Sequence, residues 1–314
     1  MKVNILLSTD DNYVMPTGVL MTSICENTKS EVIFYIMTNS DFKEESKSSL
    51  KRNILKYNQE IVFIPVQSSA TKDFPFGRPD QPTHVSVATY YRLLITKLLP
   101  ESVDKIIYLD GDMIVMDDIA GYFNEDVDRF AVGAVIDQDM DVNVKDERLE
   151  YPKQEGYFNA GSLLINLKYW REHNAYEQFI KVMHEKSNII IFHDQDVLNY
   201  VFHDKKKWLS PRYNIQTSFL VAKNVTRYGQ EMIKALKNPL VIHFCMRGSK
   251  PWMIRCDNPF TKIWLYYKHL SIWSNEPLLD NISGSLKNII RMFLIKHSLW
   301  KDTYYLTIPQ IQRL

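Results

Sequence analysis

Short apolar runs alternate with longer polar or amphipathic segments along the first part of the chain. The runs Val3 to Leu7, Val32 to Met37 and Ile61 to Val66 have the length of buried strands, and their continuous apolar character is typical of strands covered on both faces. The segments Met15 to Glu26 and Ser40 to Tyr57 predict helices, the second beginning with a capping box. This alternation predicts right-handed βαβ units and a mostly parallel sheet.

The same alternation continues through the rest of the chain, as expected for one large α/β domain. Further strands are predicted at Ile106 to Leu109, Phe130 to Ile136, Leu163 to Asn166 and Leu240 to Phe244. Further helices are predicted at Val87 to Leu99, Tyr169 to Glu185 and Asn258 to Trp273. The proline-rich stretch from Gln67 to His84 predicts a loop.

Composition narrows the class of protein. A hydrophobic share of 45% and a charged share of 24% are ordinary for a soluble globular protein, and 314 residues can bury a sizeable core. A formal net charge of +1 argues against a general nucleic-acid-binding protein, which normally has a strong basic excess. No apolar run approaches the roughly 20 residues of a membrane span, and the run at the N-terminus is too short for a signal peptide.

The cysteines point to a compartment. Cys25, Cys245 and Cys256 are widely spaced, and no Cys-x-x-Cys pair is present. This pattern excludes a disulfide framework and a thiolate metal site, and it favours a reducing environment. A cytoplasmic location is therefore expected.

The candidate chemistry begins where the strand Ile106 to Leu109 ends in two aspartates, Asp110 and Asp112. In an open α/β sheet, ligands bind just beyond the carboxyl ends of the strands. In an extended segment, residues i and i+2 project to the same side, so both carboxylates can approach one hard divalent cation. The alternative is a pair of turn aspartates around Gly111, since so short a motif also occurs by chance.

A bound phosphate would need neutralisation from such a metal and from basic side chains, because the chain has neither a G-x-G-x-x-G nor a G-x-x-x-x-G-K-S/T loop. The first predicted strand ends instead in a polar cluster that includes Asp10, Asn12 and Tyr13. These side chains are suited to hydrogen-bond a base and ribose and to stack on the base. The alternative is a helix-capping turn.

Two buried polar positions also stand out. Arg92 lies in an otherwise apolar helix, where a guanidinium needs a carboxylate or phosphate partner. That partner is either a ligand or a carboxylate of the fold. Asn159 is an amide within an apolar segment and must be hydrogen-bonded, while Ala160 and Gly161 after it allow a ligand to approach the backbone closely.

Six short motifs, taken in chain order, resemble those of glycosyltransferase family 8. This family comprises retaining sugar-nucleotide transferases, including bacterial lipopolysaccharide galactosyl- and glucosyltransferases and glycogenin. The resemblance covers Val3 to Trp252. Its motifs are Asp10-Asp11-Asn12-Tyr13, Thr89-Tyr90-Tyr91-Arg92-Leu93, Tyr108-Leu109-Asp110-Gly111-Asp112, Tyr157-Phe158-Asn159-Ala160-Gly161 with Leu164-Ile165-Asn166-Leu167, Asp194-Gln195-Asp196, and His243 with Lys250-Pro251-Trp252.

The resemblance implies a GT-A fold, with a mixed and mostly parallel central sheet flanked by helices. It also implies a retaining transferase that moves a hexose, galactose or glucose, from a UDP-sugar to a glycan or lipid-linked acceptor such as the lipopolysaccharide core. The implied metal is Mn²⁺, with Mg²⁺ as the alternative, and its implied ligands are Asp110, Asp112 and His243. Two carboxylates and an imidazole suit Mn²⁺ better than Ca²⁺. A lone histidine at such a position is more often a core residue, but the place of His243 at a strand end, before Lys250, favours a ligand.

The resemblance further implies residue roles. The implied donor-binding residues are Asp10, Asn12 and Tyr13 at the uridine, Arg92, Asp137, Asn159, Ala160 and Gly161 around the hexose, and Gly248 and Lys250 at the diphosphate. The implied catalytic residues are Asp194 and Gln195. Asp194 could instead be a helix N-cap, and Lys250 a surface lysine. Met246 occupies the family's usual glycine position, and His243 to Lys250 is one residue longer than in close bacterial relatives.

Gln195 matches the family position nearest the reacting carbon, but an amide is a poor nucleophile. We therefore expect a front-side reaction through a short-lived ion pair, in which the leaving diphosphate takes the acceptor's proton. Retaining hydrolases use a carboxylate as nucleophile, and the sequence identifies no residue for that role.

The chain divides, by sequence, into a GT-A domain at 1–276 and a basic, apolar C-terminal extension at 277–314. Apolar residues from Leu286 to Leu294 fall largely on one helical face, and lysines and arginines are interleaved with them. This pattern predicts either an interfacial helix on the inner face of the cytoplasmic membrane or an ordinary helix packed on the domain.

Two other functions remain open at this point. A haloacid-dehalogenase-type phosphatase also carries Asp-x-Asp after an apolar strand, although normally on the first strand of its core. A non-catalytic sugar-nucleotide or glycan-binding protein of the same fold is the second alternative, although a pure binder has no need of a metal.

Overall fold

The computed structural model describes residues 1–71, 74, 87–137, 148–246, 250–254, 256–279, 290, 293–294, 299 and 306–313. The strands are β1 (Lys2–Ser8), β2 (Glu31–Asn39), β3 (Glu60–Val66), β4 (Lys105–Leu109), β5 (Met113–Val115), β6 (Val132–Ile136), β7 (Phe158–Asn166), β8 (Lys206–Trp208), β9 (Ile215–Gln216) and β10 (Val241–His243).

The α-helices are shorter on average than predicted, and several begin or end in 3₁₀ turns. They are α1 (Val14–Asn27), α2 (Glu44–Ile54), α3 (Ile95–Leu98), α4 (Ala120–Phe123), α5 (Leu167–Glu172), α6 (Ala175–Glu185), α7 (His193–Phe202), α8 (Ala222–Lys237), α9 (Thr261–Leu270) and α10 (Ile308–Arg313). Among the described residues, the longest 3₁₀ segment is Val87–Leu94.

The central sheet has seven strands in the order β3-β2-β1-β4-β7-β6-β8. The pairs β3/β2, β2/β1, β1/β4 and β6/β8 are parallel, whereas β7 runs antiparallel to both of its neighbours, β4 and β6. This confirms the predicted mixed, mostly parallel α/β sheet. A second sheet of three strands, in the order β5-β10-β9, lies beyond the end of β4.

Buried apolar residues form two clusters, and alternate side chains of the central strands divide between them: Ile5 and Leu7 of β1 belong to one, Leu6 to the other. Helix α1 packs against α2, α9 and β5. A Cβ atom at Gly18 of α1 would lie 2.0 Å from a ring atom of Trp273, so glycine there lets the indole pack against the helix.

The end of the chain also reaches the core. The amide of Leu306 donates to the carbonyl of Leu220, and both Leu306 and Ile311 are buried in the first cluster. Ile290, Phe293 and Leu299, also in the predicted extension, are exposed. Among the described helices, none is long and apolar enough to cross a membrane.

Candidate active site

Strand pairing brings the predicted metal ligands together. Asp110 follows β4 directly, and its amide donates to the carbonyl of Gly161 on the neighbouring β7 at 2.8 Å. Asp112 precedes β5, which pairs antiparallel with β10, so that Met113 lies opposite His243. The amide of Phe244 donates to the carbonyl of Asp112 at 3.0 Å. The β4–β5 connection is therefore held on both sides.

The three side chains form a compact donor set. One ligand atom from each of Asp110, Asp112 and His243 lies within 4.8 Å of the other two. His243 Nε2 is 3.3 Å from Asp112 Oδ1 and 4.0 Å from Asp110 Oδ2. Two carboxylates and an imidazole are ligands that a divalent ion such as Mn²⁺ accepts. Within the described ranges, no other group of three His, Cys, Asp or Glu side chains comes this close together.

The space beside these ligands depends on a glycine. A Cβ atom at Gly161 would lie 2.5 Å from His243 Cε1 and 2.8 Å from Asp110 Oδ2. Any side chain at this position would therefore press into the donor set. The chemistry of the ligands and the room that Gly161 leaves both fit a small cation.

Lys250 also belongs to this site. Its Nζ donates to Asp112 Oδ2 at 2.5 Å and to the carbonyl of Phe244 at 2.7 Å. Burial would raise the pKa of Asp112, but Lys250 and His243 together hold that pKa below its ordinary value. The surface-lysine alternative is wrong, because Lys250 is largely buried against a metal-ligand candidate despite the longer spacing from His243.

Arg92 links the metal ligands to the predicted sugar pocket. Its guanidinium lies 2.9 Å from Asp110 Oδ1 and 2.9 Å from Asp194 Oδ2, donates to the carbonyl of Ala160, and covers the ring of Tyr108 at 4.0 Å. Carboxylates of the fold are therefore partners of Arg92, and its contact with a donor sugar stays a prediction.

Asp194 lies within the first turn of α7, which has Phe192 at its N-cap, so the N-cap alternative for Asp194 is wrong. Asp110 and Asp194 both pair with the buried guanidinium of Arg92. Burial raises the pKa of Asp194 to about 7, although Arg92 acts in the opposite direction and Asp110 in the same one.

The side-chain amide of Gln195 is held by three hydrogen bonds. Its Oε1 accepts from the amide of Ala160 at 2.9 Å, and its Nε2 donates to Asp137 Oδ2 at 3.1 Å and to the hydroxyl of Tyr157 at 3.2 Å. Asn159 Nδ2 donates to the same oxygen of Asp137 at 3.1 Å. The structure therefore brings Asp137, Asn159, Ala160 and Gln195 into one cluster, and contact of this cluster with a hexose stays a prediction.

The polar cluster after β1 shows a structural role. Asp10 Oδ1 accepts from the amides of Asn12 and Tyr13 at 2.9 and 3.2 Å, which forms a turn directly before α1, but the N-cap residue of that helix is Tyr13 and no side chain caps it. The Tyr13 ring packs edge-on against Trp252, with centroids 5.2 Å apart. A Cβ at Gly111 would lie 3.2 Å from Tyr13 Cδ1, so this ring also limits the residue between the metal-ligand aspartates. Contact of these three residues with uridine stays a prediction.

Gly248, the remaining predicted donor-binding residue, lies outside the described residues. Two buried residues of the site, Tyr157 and Asn214, were given no role from the sequence, although Tyr157 belongs to a motif quoted above. Tyr157 contacts Gln195, and Asn214 contacts both His243 and Asn159. The rule that pointed to Asn159, an amide among apolar residues, applies equally to Asn214, but the two-residue strand β9 beside it gave no periodic signal.

The mixed central sheet with flanking helices has the GT-A fold, and the acidic and histidine side chains lie at the edge of that sheet. LgtC, a galactosyltransferase whose crystal structure contains donor and acceptor sugar analogs, has the same fold: the TM-score is 0.74, with 24% identity over 86% of this chain and 96% of that one.

The chain belongs to glycosyl transferase family 8, whose sequence model matches residues 4–256. General stress protein A of Bacillus subtilis is 28% identical over 280 residues, which are 87% of this chain and 95% of that protein. The lipopolysaccharide 1,3-galactosyltransferase of Salmonella typhimurium is 25% identical and covers 97% of this chain and 90% of its own. The lipopolysaccharide 1,2-glucosyltransferase of Escherichia coli is 27% identical over 92% of this chain and 82% of that protein.

Proposed function

We propose that the chain is a metal-dependent, retaining hexosyltransferase that moves galactose or glucose from a UDP-sugar to a glycan or lipid-linked acceptor such as the lipopolysaccharide core. The observation that carries the proposal is the donor set of Asp110, Asp112 and His243 with Lys250 against it. The names of the similar galactosyl- and glucosyltransferases support the choice of sugars.

The reaction first requires stabilisation of the departing nucleoside diphosphate. Asp110, Asp112 and His243 would hold Mn²⁺, or Mg²⁺ as the alternative, and the bound ion would act as a Lewis acid toward the diphosphate. Lys250 would exchange its contact with Asp112 for a diphosphate oxygen and stabilise the negative charge that develops there.

The sugar would occupy the adjoining pocket. The residues that would hold the hexose are Arg92, Asp137, Asn159, Ala160 and Gly161. Asp194 and Gln195 would be the catalytic residues, with Gln195 nearest the reacting carbon. The carboxylates of this pocket are already engaged, Asp194 by Arg92 and Asp137 by two amides. This engagement supports a front-side reaction in which the leaving diphosphate accepts the acceptor's proton, because neither carboxylate is poised as a nucleophile.

Release of UDP from a panel of UDP-sugars, with and without Mn²⁺, tests the proposal. We expect Mn²⁺-dependent release from one UDP-hexose, lost in Asp112→Asn and unchanged in Asp204→Asn, whose carboxylate pairs on the surface with Lys205. Since the phosphatase alternative has no support in the family, silence across the panel would favour a non-catalytic binder. Retention of the anomeric configuration, followed by NMR of the product, tests the stereochemistry.

The membrane-docking part of the proposal rests on Ile290, Phe293 and Leu299, which are exposed in a sequence rich in basic residues. We expect the protein to sediment with vesicles that contain anionic lipid at low salt and less so at high salt, as for electrostatic attraction. Binding that Phe293→Asp leaves unchanged would contradict docking through this segment. The corresponding location is the inner face of the cytoplasmic membrane.

A further inference from the structure

Asn214 is a wholly buried amide between the 3₁₀ turn Pro211–Tyr213 and β9. Its Oδ1 lies 3.1 Å from His243 Nδ1, and its Nδ2 donates to Asn159 Oδ1 at 2.8 Å. It therefore contacts a predicted metal ligand on one side and a predicted sugar-pocket residue on the other.

The orientation of this amide follows from its neighbours. Asn159 Oδ1 accepts from the backbone amide of Gly161 at 3.0 Å, and Asn159 Nδ2 donates to the carboxylate of Asp137. A backbone amide is only a donor, so the atom of Asn159 that faces Gly161 is the oxygen. A carboxylate is an acceptor, so the atom that faces Asp137 is the nitrogen. The atom of Asn214 that meets Asn159 Oδ1 must then be Nδ2, and Oδ1 must face His243.

An amide oxygen only accepts hydrogen bonds, so His243 must carry a proton on Nδ1. In a neutral imidazole with Nδ1 protonated, Nε2 keeps its lone pair. Nε2 is the atom that faces Asp112 and Asp110. The hydrogen bond from one ring nitrogen thus decides whether the other can ligate a metal.

We propose that Asn214 is a positioning residue that holds His243 in the Nδ1-protonated tautomer and so makes its Nε2 a metal ligand. This inference rests on the proposed function. The same amide joins His243 to Asn159, and through Asp137 to Gln195, so one hydrogen-bonded chain connects the metal ligands to the predicted reacting centre.

Two substitutions separate this role from simple packing. Asn214→Leu has a similar shape but no acceptor, and Asn214→Asp keeps an oxygen toward Nδ1 while losing the donor toward Asn159. Asn53→Leu is the matched control, because Asn53 is a buried amide whose partners, Gly18, Thr22 and Ile272, lie outside the site.

The first measurement is the long-range ¹H–¹⁵N spectrum of metal-free protein labelled with ¹⁵N-histidine, recorded at alkaline pH where an imidazole carries one proton, with His243→Gln used for assignment. We expect the Nδ1-protonated pattern in the wild type, Asn214→Asp and Asn53→Leu, and its loss in Asn214→Leu. The second measurement is Mn²⁺ affinity in the presence of UDP, followed by electron paramagnetic resonance of the free ion. Asn214→Leu should weaken it by about 10- to 100-fold, as for other residues that orient metal ligands.

Asn214→Asp should keep an affinity much nearer to the wild type than that of Asn214→Leu. The proposal is overturned if Asn214→Leu keeps the wild-type tautomer, or if both Asn214 variants lose affinity equally. A wild type that binds no Mn²⁺ with UDP would instead contradict the proposed function, and the tautomer of the metal-free protein would still decide the role of Asn214.

Discussion

Lys250 pairs with the carboxylate of Asp112, which is also a proposed metal ligand. The ammonium group lies 2.5 Å from Asp112 Oδ2, so its positive charge opposes that of a divalent ion bound to the same carboxylate. Removing the ammonium should free Asp112 for a metal but deprive the diphosphate of a positive charge. The substitution should therefore raise Mn²⁺ affinity and lower the transfer rate, whereas unfolding would lower both.

We expect Lys250→Met to bind Mn²⁺ without nucleotide about tenfold more tightly, equivalent to about 1.4 kcal/mol. Transfer should slow by roughly 10²-fold, since one charge that stabilises the leaving group is lost. A Mn²⁺ titration and initial rates measure the two effects. Lys207→Met, which loses only the pair with Glu125, is the control, and weaker Mn²⁺ binding in Lys250→Met would contradict the account.

Strand β7 contributes both the sugar-pocket residues and the space for the metal. Its backbone at Gly161 pairs with Asp110, and a Cβ there would enter the donor set. Gly161→Ala should therefore lower Mn²⁺ affinity by about 10- to 100-fold, comparable to the loss of a residue that orients a ligand. In Gly121→Ala, where a Cβ meets nothing within 4 Å, the affinity should not change. Equal affinities in the two variants would contradict the proposed position of the ion.

Four strands were predicted well, whereas β7, which is nine residues long and wholly buried, begins five residues before the predicted Leu163, and α8 was not predicted. β1 to β4 were placed within two residues at either end, because continuous apolar runs mark strands covered on both faces. β5, β8 and β9 were missed because two or three residues show no periodicity.

Three predicted details of the helices were wrong. The predicted helix Tyr169 to Glu185 is broken at Asn174, which has a left-handed φ of 50°. The segment Val87–Leu94 is 3₁₀ rather than α-helical. The capping box predicted for α2 does not form, and Asp11 instead accepts from the amide of Lys43 and the hydroxyl of Ser46 at the start of that helix. Such contacts depend on tertiary packing, which a local pattern does not contain.

In the candidate site, the rule that ligands bind beyond the carboxyl ends of strands pointed to Asp110 and Asp112, which follow β4. Asp137 and His243 also lie at strand ends, but their roles were implied by the family resemblance. Asn214 and Tyr157 act through their neighbours, and only the folded hydrogen-bond network reveals them.

The whole molecule includes at least part of the predicted extension in its core. Ile311 is 3% exposed and belongs to the cluster that contains Leu220, whereas Ile290 is 51% exposed. Ile311→Ala should lower the free energy of unfolding by about 2–5 kcal/mol, the usual cost of truncating a buried isoleucine. Ile290→Ala should have little effect. Urea denaturation measures both, and a negligible change in Ile311→Ala would show that residues 277–314 form a separate tail.

The central claim is that two strand pairings, β4 with β7 and β5 with β10, assemble a divalent-metal site for a nucleoside diphosphate. The most direct test is a Mn²⁺ titration of the full chain with and without UDP, followed by electron paramagnetic resonance of the free ion. The account predicts one bound Mn²⁺ per chain, tighter with UDP and lost in Asp110→Asn. A wild-type chain that binds no Mn²⁺ with UDP, or an Asp110→Asn variant that binds it as tightly, would contradict the claim.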